Sequence, residues 1–235
     1  MKIGIVTAMP REFDLLLASL AGPQQREYGP FYYAWGTLGI HQVAMVLAGI
    51  GKVHAALGAA ALLQHAAVDC LLSIGCSGAL SRQLKPTDPV VASACAYHDV
   101  WCGEPNQYGQ IQGCPPIFAC HVKLSQALAD SLCVQPGLIA CGEYFVPQED
   151  HLKAIIAHFP EALAVDMESA AVAQAAWITA TPFAALRAIS DTPITPDNHQ
   201  GQYDLFWKEQ AASSFDALMA AVKALPDQLD LSQPQ

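Results

Sequence analysis

The sequence predicts an α/β fold: a single-domain, three-layer α-β-α sandwich around a central mixed, twisted sheet. Three observations carry this reading. Short apolar runs of strand character alternate with helical stretches along the chain, the pattern of a sheet covered by helices on both faces. Two adjacent strand-like runs, 32–38 and 41–48, flank Gly39 as in a hairpin, so the sheet is mixed rather than purely parallel. The length of 235 residues suits one hydrophobic core, with no repeat, linker or internal boundary, so residues 1–235 read as one domain.

Each element follows from local pattern. The opening run 2–8 is apolar and short, a buried strand. Glu12 follows on a helix whose apolar positions include Phe13, Leu16, Leu17 and Leu20. After the hairpin, Gly49-Ile50-Gly51 breaks the chain and 52–65 is an Ala- and Leu-rich helix. A buried strand at 70–74 is ended by Gly75-Cys76-Ser77-Gly78, and 89–94 is a further strand. Residues 97–116 carry many Gly, Pro, Asn and Gln and read as a long loop, a feature that in compact domains is usually functional or interfacial. Helices at 124–132 and 148–159 bracket a strand at 137–141. A short strand at 162–165 leads into a helix at 166–180, and a strand at 182–189 ends at Ser190-Asp191. A polar loop at 192–202 precedes a final amphipathic helix at 203–225. The polar tail from 226 is expected to fray.

Composition excludes several function classes. The formal net charge is −10 and the eleven Lys and Arg are scattered, so neither nucleic acid nor an anionic membrane surface is an expected partner. No uninterrupted apolar run is long enough to span a membrane. The apolar start of the chain breaks at Pro10-Arg11-Glu12, too early for a signal peptide. The eight cysteines form no C-x-x-C pair and read as reduced thiols of a cytoplasmic protein. The eight histidines show no zinc-type spacing, so no metal or other cofactor is expected. Hydrophobic residues make up 53% of the chain and charged residues 14%. So little charge leaves surface to be covered, which points to a homodimer. The alternative is a well-buried, alanine-rich monomer.

Ligands of such sheets sit beyond the strand ends. Three acids stand there: Glu12 after the first strand, Glu168 in the first turn of the helix after 162–165, and Asp191 closing the strand at 182–189. A half-buried carboxylate at a strand end faces a pocket with its pKa moved toward a catalytic value. The alternative is an acid that favours the N-terminal end of a helix dipole; it weighs most for Asp166 and Glu168. The two glycine loops have neither P-loop nor G-x-G-x-x-G spacing and fit a phosphate cradle or a tight turn equally. Neither Cys76 nor Ser77 has a nearby His and Asp pattern for nucleophilic catalysis.

In order along the chain, Met1-Lys2-Ile3-Gly4-Ile5-Val6 with Ala8-Met9 and Glu12, Gly49-Ile50-Gly51-Lys52-Val53 with Ala55-Ala56, and Gly75-Cys76-Ser77-Gly78 form a collinear set. It continues through Tyr97-His98-Asp99, Tyr108-Gly109-Gln110, Gly113-Cys114-Pro115, Val165-Asp166-Met167-Glu168 and Arg187-Ala188-Ile189-Ser190-Asp191. Together these segments cover almost the whole chain. The set resembles the 5′-methylthioadenosine/S-adenosylhomocysteine nucleosidases of the purine and uridine phosphorylase superfamily. The resemblance implies a purine nucleoside and water as reactants and hydrolysis of the N-glycosidic bond. It implies Asp191 as general acid toward N7 of the base, Glu12 as activator of water, and Glu168 as the ribose clamp that stabilises an oxocarbenium-like transition state. It places Met167 against the ribose, Phe145 on the purine and the backbone of Val146 at the purine edge. Arg187 and Ser190 become supports of the carboxylates, and Met9, Ile50 and Phe206 the apolar lining for the 5′ substituent. Cys76, Ser77 and Gly78 join them at the site.

The chain departs from the family pattern in places. Cys76-Ser77-Gly78-Ala79 stands where a Ser-Ala-Gly-Gly run is usual, and a thiol is a weak hydrogen-bond partner. If a hydroxyl there supports Asp191, Ser77 or Ser190 must compensate. Pro10-Arg11 replaces an acidic pair, and the loop 100–106 lacks the usual aromatic closing the 5′ pocket, for which Trp101, from the same chain or a dimer mate, is the candidate. Phosphorylases of the superfamily hold phosphate with arginines. Only Arg11 lies near the first loop and Ile50 sits in the second, which favours hydrolysis; Arg11 and Arg26 keep a phosphate-dependent reaction open. A futalosine-type nucleosidase would share the chemistry with a different 5′ substituent. A catalytically silent nucleoside-binding relative would share only the fold, and the intact trio of acids argues against it.

Overall fold

A computed structural model describes residues 1–145, 149–194 and 199–232. Its centre is strand β1 (Lys2–Thr7), paired in parallel with β4 (His41–Leu47) and with β5 (Cys70–Ala79). Strands buried on both faces read as continuous apolar runs, which is why β1 shows no polar alternation. Its side chains still alternate between layers: Ile3 and Ile5 enter one core, Val6 the other.

The hairpin is formed by β3 (Phe31–Leu38) and β4, and its turn residue Gly39 has φ of +61°. Glycine takes that conformation at little steric cost. Outside it lies β2 (Ala21–Tyr28), an antiparallel edge strand that the hydrophobic pattern does not announce. Every residue of β2 is exposed, so it has no buried face to imprint an apolar period on the sequence. Its Pro, Arg and Glu suit a protected edge.

On the other side of β1 the sheet curls into a ring. β5 pairs with β10 (Phe183–Asp191), β10 with β6 (Pro89–Tyr97), β6 with β8 (Gly137–Cys141), β8 with β9 (Ala162–Asp166), and β9 returns to β5. The short β7 (Phe118–Ala119) hangs on β6. The expectation that Gly75–Gly78 ends a strand is corrected here: β5 runs on to Ala79, and Gly78 and Ala79 are the residues that pair with β9. The glycines act by letting the strand bend and its neighbours approach. A Cβ on Gly78 would lie 3.1 Å from Pro193.

Helices cover both faces. Helix α2 (Lys52–His65) packs on α5 (Ser169–Ile178), whose alanines allow close approach. Helices α1 (Pro10–Ala18), α3 (Val122–Leu132) and α7 (Ala211–Lys223) cover the second core, with Phe13, Leu16, Leu124, Leu128, Phe215 and Leu218 buried. Helix α4 (Glu149–His158) buries Leu152 and Ile155 against the ring. The predicted helix at 203–225 is in fact three pieces: α6 (His199–Leu205), a π-helical turn (Phe206–Gln210) and α7. Such π turns often occur at functional sites. Beyond α7, Leu229 and Leu231 lie against the second core. All eight cysteines stand as thiols.

Candidate active site

The three acids come from three strand ends and meet in one pocket of about 230 Å³. Glu12 is the third residue of α1, which begins at Pro10, a residue pre-organised for a first helical turn. The side chain turns back into the protein and is buried. Its Oε2 accepts from the Thr7 hydroxyl at 2.8 Å and from the backbone N–H of Ala8 (3.2 Å) and Met9 (3.0 Å). Its Oε1 accepts from Cys76 N–H at 2.9 Å. Four donors converge on one acceptor-only group, and the less crowded Oε1 keeps a lone pair for water. Gly75 makes room for this: a Cβ there would sit 2.8 Å from Oε1.

Asp166 and Glu168, two residues apart, divide their roles. Asp166 Oδ1 accepts from Ser169 N–H (3.2 Å), the Ser169 hydroxyl (2.9 Å) and Glu168 N–H (3.3 Å), capping the start of α5. Its Oδ2 pairs with Arg187 Nε at 2.7 Å, both side chains 2% exposed. Asp166 is therefore chiefly structural. Glu168 carries its side chain to the pocket, where Oε1 accepts from Gly51 N–H at 2.8 Å. Burial and then the Asp166 charge push Glu168 up to about 8, while the Gly51 hydrogen bond pulls the other way.

Asp191 closes β10. Burial raises its pKa above the usual carboxylate range, opposed by the Ser190 hydroxyl and by His199. Ser190 Oγ has one proton and two acceptors in reach, Asp191 Oδ1 at 2.7 Å and Ser77 O at 3.2 Å. It donates to Asp191 when the acid is ionised. When Asp191 is protonated it can accept from the acid and donate to Ser77 O. Both protonation states are thus hydrogen-bonded, as a group that gains and loses a proton requires. Asp191 Oδ2 faces His199 Nδ1 at 3.6 Å.

The structure brings Met9, Ile50, Cys76, Ser77, Gly78, Phe145, Met167 and Ser190 to the pocket wall with the three acids. Cys76 contributes its backbone N–H to Glu12. Burial, then the Glu12 charge, holds its thiol protonated, well above the usual range. Ser190, and not Ser77, supplies the hydroxyl to Asp191; Ser77 Oγ has no hydrogen-bond partner among the described residues.

Two expectations are corrected. Phe206 does not line the pocket: it is fully buried in the second core, beside Trp207. The helix passes the pocket rim at Tyr203, and one turn later it lies over the core. Arg187 does not reach the pocket either. It is spent on Asp166, Ser73 and the Leu186 carbonyl, and borders a separate cavity of about 10 Å³ behind Glu12 and Glu168. That space is on the order of one water. Val146 lies outside the described residues. Trp101 is exposed, stacked on Tyr108, and does not line the pocket of its own chain. Tyr144, Pro193 and Tyr203 line the pocket although no sequence motif marks them, and Thr7 and His199 serve the acids from outside the motifs.

Comparisons with known proteins identify related chains. The family model of the phosphorylase superfamily matches residues 2–224. The 5′-methylthioadenosine/S-adenosylhomocysteine nucleosidase of Exiguobacterium sp. strain AT1b is 32% identical over 232 residues, 96% of this chain and 99% of that protein. The S-adenosylhomocysteine nucleosidase of Streptococcus pyogenes, solved with 5-methylthiotubericidin, superposes with a TM-score of 0.90 at 36% identity, covering 96% of this chain and 98% of the other. The futalosine hydrolase of Helicobacter pylori superposes with a TM-score of 0.87 at 26% identity over 96% and 98% of the two chains.

Proposed function

The chain belongs to the phosphorylase superfamily and, within it, to the 5′-methylthioadenosine/S-adenosylhomocysteine nucleosidases, and from that premise we propose that it hydrolyses the N-glycosidic bond of 5′-methylthioadenosine, S-adenosylhomocysteine or both. The products are adenine and the 5-thioribose. The observation that carries the reading is the convergence of Glu12, Glu168 and Asp191 on one pocket, with Glu168 and Asp191 both raised.

Asp191 gives its proton to N7 of the purine, so the electron pair of the breaking C1′–N9 bond is taken by a neutral leaving base. Glu168 accepts from the ribose hydroxyls. Positive charge developing on the sugar favours its ionised form and is stabilised by it. Water attacks C1′ and Glu12 takes its proton. The small cavity bordered by Glu12, Glu168 and Arg187 is where a water molecule waits. Phe145, 43% exposed at the mouth, is the platform for the base, and Met167 packs on the ribose.

Water rather than phosphate is the nucleophile. No arginine or lysine lines the pocket among the described residues. Arg11 lies over the Trp207 ring, and Arg26 borders a separate groove with Tyr28, Tyr33, Trp35 and His65. Incubation with each nucleoside, with and without phosphate, tests this: base release that requires phosphate rejects hydrolysis. Binding without turnover on any purine nucleoside favours the silent relative.

The working form is a homodimer. Val53 and Leu57 are exposed one turn apart on α2, Ile50 is exposed at the pocket mouth, and Trp177 and Ile178 are exposed on the neighbouring α5. A second copy seated there removes a large apolar patch from water and covers the pocket mouth. Sedimentation of Leu57→Glu is expected to show monomer; an unchanged mass for wild type and variant at the monomer value removes the dimer. Free thiols, and the absence among the described residues of a helix long and apolar enough to cross a membrane, support placing the protein in the cytoplasm.

A further inference from the structure

The pocket wall formed by Met9, Ile50, Phe145, Pro193 and Tyr203 is apolar except at one atom, the Tyr203 hydroxyl. Tyr203 stands on α6, held between Phe145 (ring centroids 5.8 Å apart) and Trp207 (6.2 Å), each edge-on at 70°. Its hydroxyl donates to Met9 Sδ at 3.7 Å. A thioether is a weak acceptor, and the phenol of a half-buried tyrosine lining the pocket can exchange it for a better one. Burial raises this phenol to about 12, so it remains a donor at neutral pH.

The position of that donor is set by its partner. Met9 N–H bonds the Glu12 carboxylate, and Glu12 must face C1′ of the sugar. Asp191 and Phe145 take the base. The hydroxyl beside Met9 therefore opens on the sugar side, where the arm on C5′ has to lie.

We infer that Tyr203 is a specificity-determining residue whose hydroxyl exchanges Met9 Sδ for the heteroatom on C5′ of the bound nucleoside. This inference rests on the nucleosidase reading and deepens it. It follows that the site ranks nucleosides by acceptor strength at C5′. A thioether sulfur replaces one thioether by another and is bound with modest gain. A 5′-hydroxyl is a stronger acceptor and gains more from the phenol. An all-carbon arm leaves the phenol on Met9 and gains nothing from it. The Tyr203 phenol thus widens the substrate range toward 5′-hydroxy nucleosides beyond what a purely apolar wall would allow.

The test crosses the residue with the substrate. Wild type and Tyr203→Phe are assayed for adenine release from 5′-methylthioadenosine, from adenosine, and from the analogue with CH2 in place of sulfur. Phenylalanine keeps the ring contacts, and a melting curve checks that the fold is retained. On the thioether substrate the variant is expected to lose only about twofold in kcat/KM, because the phenol gives up one thioether for another and a net hydrogen bond is not gained. The loss resides in KM, because the contact is remote from the reacting bond. The loss on adenosine is larger and that on the carbon analogue nil. Met9→Leu removes the competing acceptor. It raises kcat/KM on the two heteroatom substrates when Tyr203 is present and not in the Phe background. Equal losses on all three substrates, or a gain on the thioether, overturn the inference while leaving the hydrolase reading intact. Failure of the wild type to release base from any of the three overturns both.

Discussion

Replacing Glu168 by glutamine separates the catalytic value of this carboxylate from its energetic burden. Glutamine keeps Oε1 as acceptor for Gly51 N–H, a 2.8 Å bond in the wild type, and nearly the same volume. What it removes is the titration. Burial and the Asp166 charge raise Glu168 from 4.5 to about 8 in the folded chain. Between those values the folded chain holds a proton that the unfolded chain has released. Wild-type stability therefore falls as pH rises through that window, and below it the group contributes nothing. At about 1.36 kcal/mol for each pH unit, the gap comes to about 5 kcal/mol above pH 8. That figure is an upper bound, since water reaching the half-buried side chain screens the charge. Urea unfolding of both proteins at pH 4.5, 6, 7.5 and 9 reads it directly. The Glu168→Gln advantage should be near zero at the acid end and grow to a few kcal/mol at pH 9, while turnover is lost at every pH. A stability difference that does not change with pH would refute the raised value and the crowding of carboxylates behind it.

Other changes address the remaining parts of the site. Asp191→Asn, which cannot give up a carboxyl proton, is expected to lower kcat by about 100- to 10,000-fold with the melting temperature preserved; near-normal turnover removes Asp191 from its role. Gly75→Ala places a methyl 2.8 Å from Glu12 Oε1, so it should cost about 1–3 kcal/mol of stability and lower kcat more than KM. A wild-type melting curve and wild-type kcat together would show that Glu12 is not confined there. Arg187→Met strands the buried Asp166 carboxylate and should destabilise by about 3–5 kcal/mol in chemical denaturation; a change below about 1 kcal/mol argues against the buried pair. Cys76→Ser leaves the backbone N–H to Glu12 in place and should stay within a few-fold of wild-type activity in the same assay.

Much of this molecule is written locally. The alternation of apolar runs with helical stretches encodes the layers, because a residue's burial is repeated at the period of its own element. Glu12, Glu168 and Asp191 could be picked out because strand ends are where an α/β sheet opens to a ligand. The glycines at 49, 51, 75 and 78 were visible as punctuation. The edge strand β2 was not, since an exposed strand leaves no apolar period. Nor was the run of β5 through Gly75–Gly78, because glycine signals a break equally well where it permits close packing.

The sequence by itself determined the fold class, the family, and the three acids with their glycine neighbours. Each of these depends on residue type and order along one stretch of chain. Only the tertiary structure decided how neighbouring candidates divide. Asp166 spent its carboxylate on Ser169 and Arg187 while that of Glu168, two residues on, met Gly51 N–H. Tyr203 lined the wall while Phe206, one turn on, entered the core. Ser190 rather than Ser77 reached Asp191. These choices turn on contacts between distant segments, such as Gly51 N–H meeting Glu168 across 117 residues, and on how the β5–β10–β6–β8–β9 ring aims each side chain. A difference of one helical turn or one face of a strand sets such an outcome. Local pattern carries no information at that scale until the elements pack.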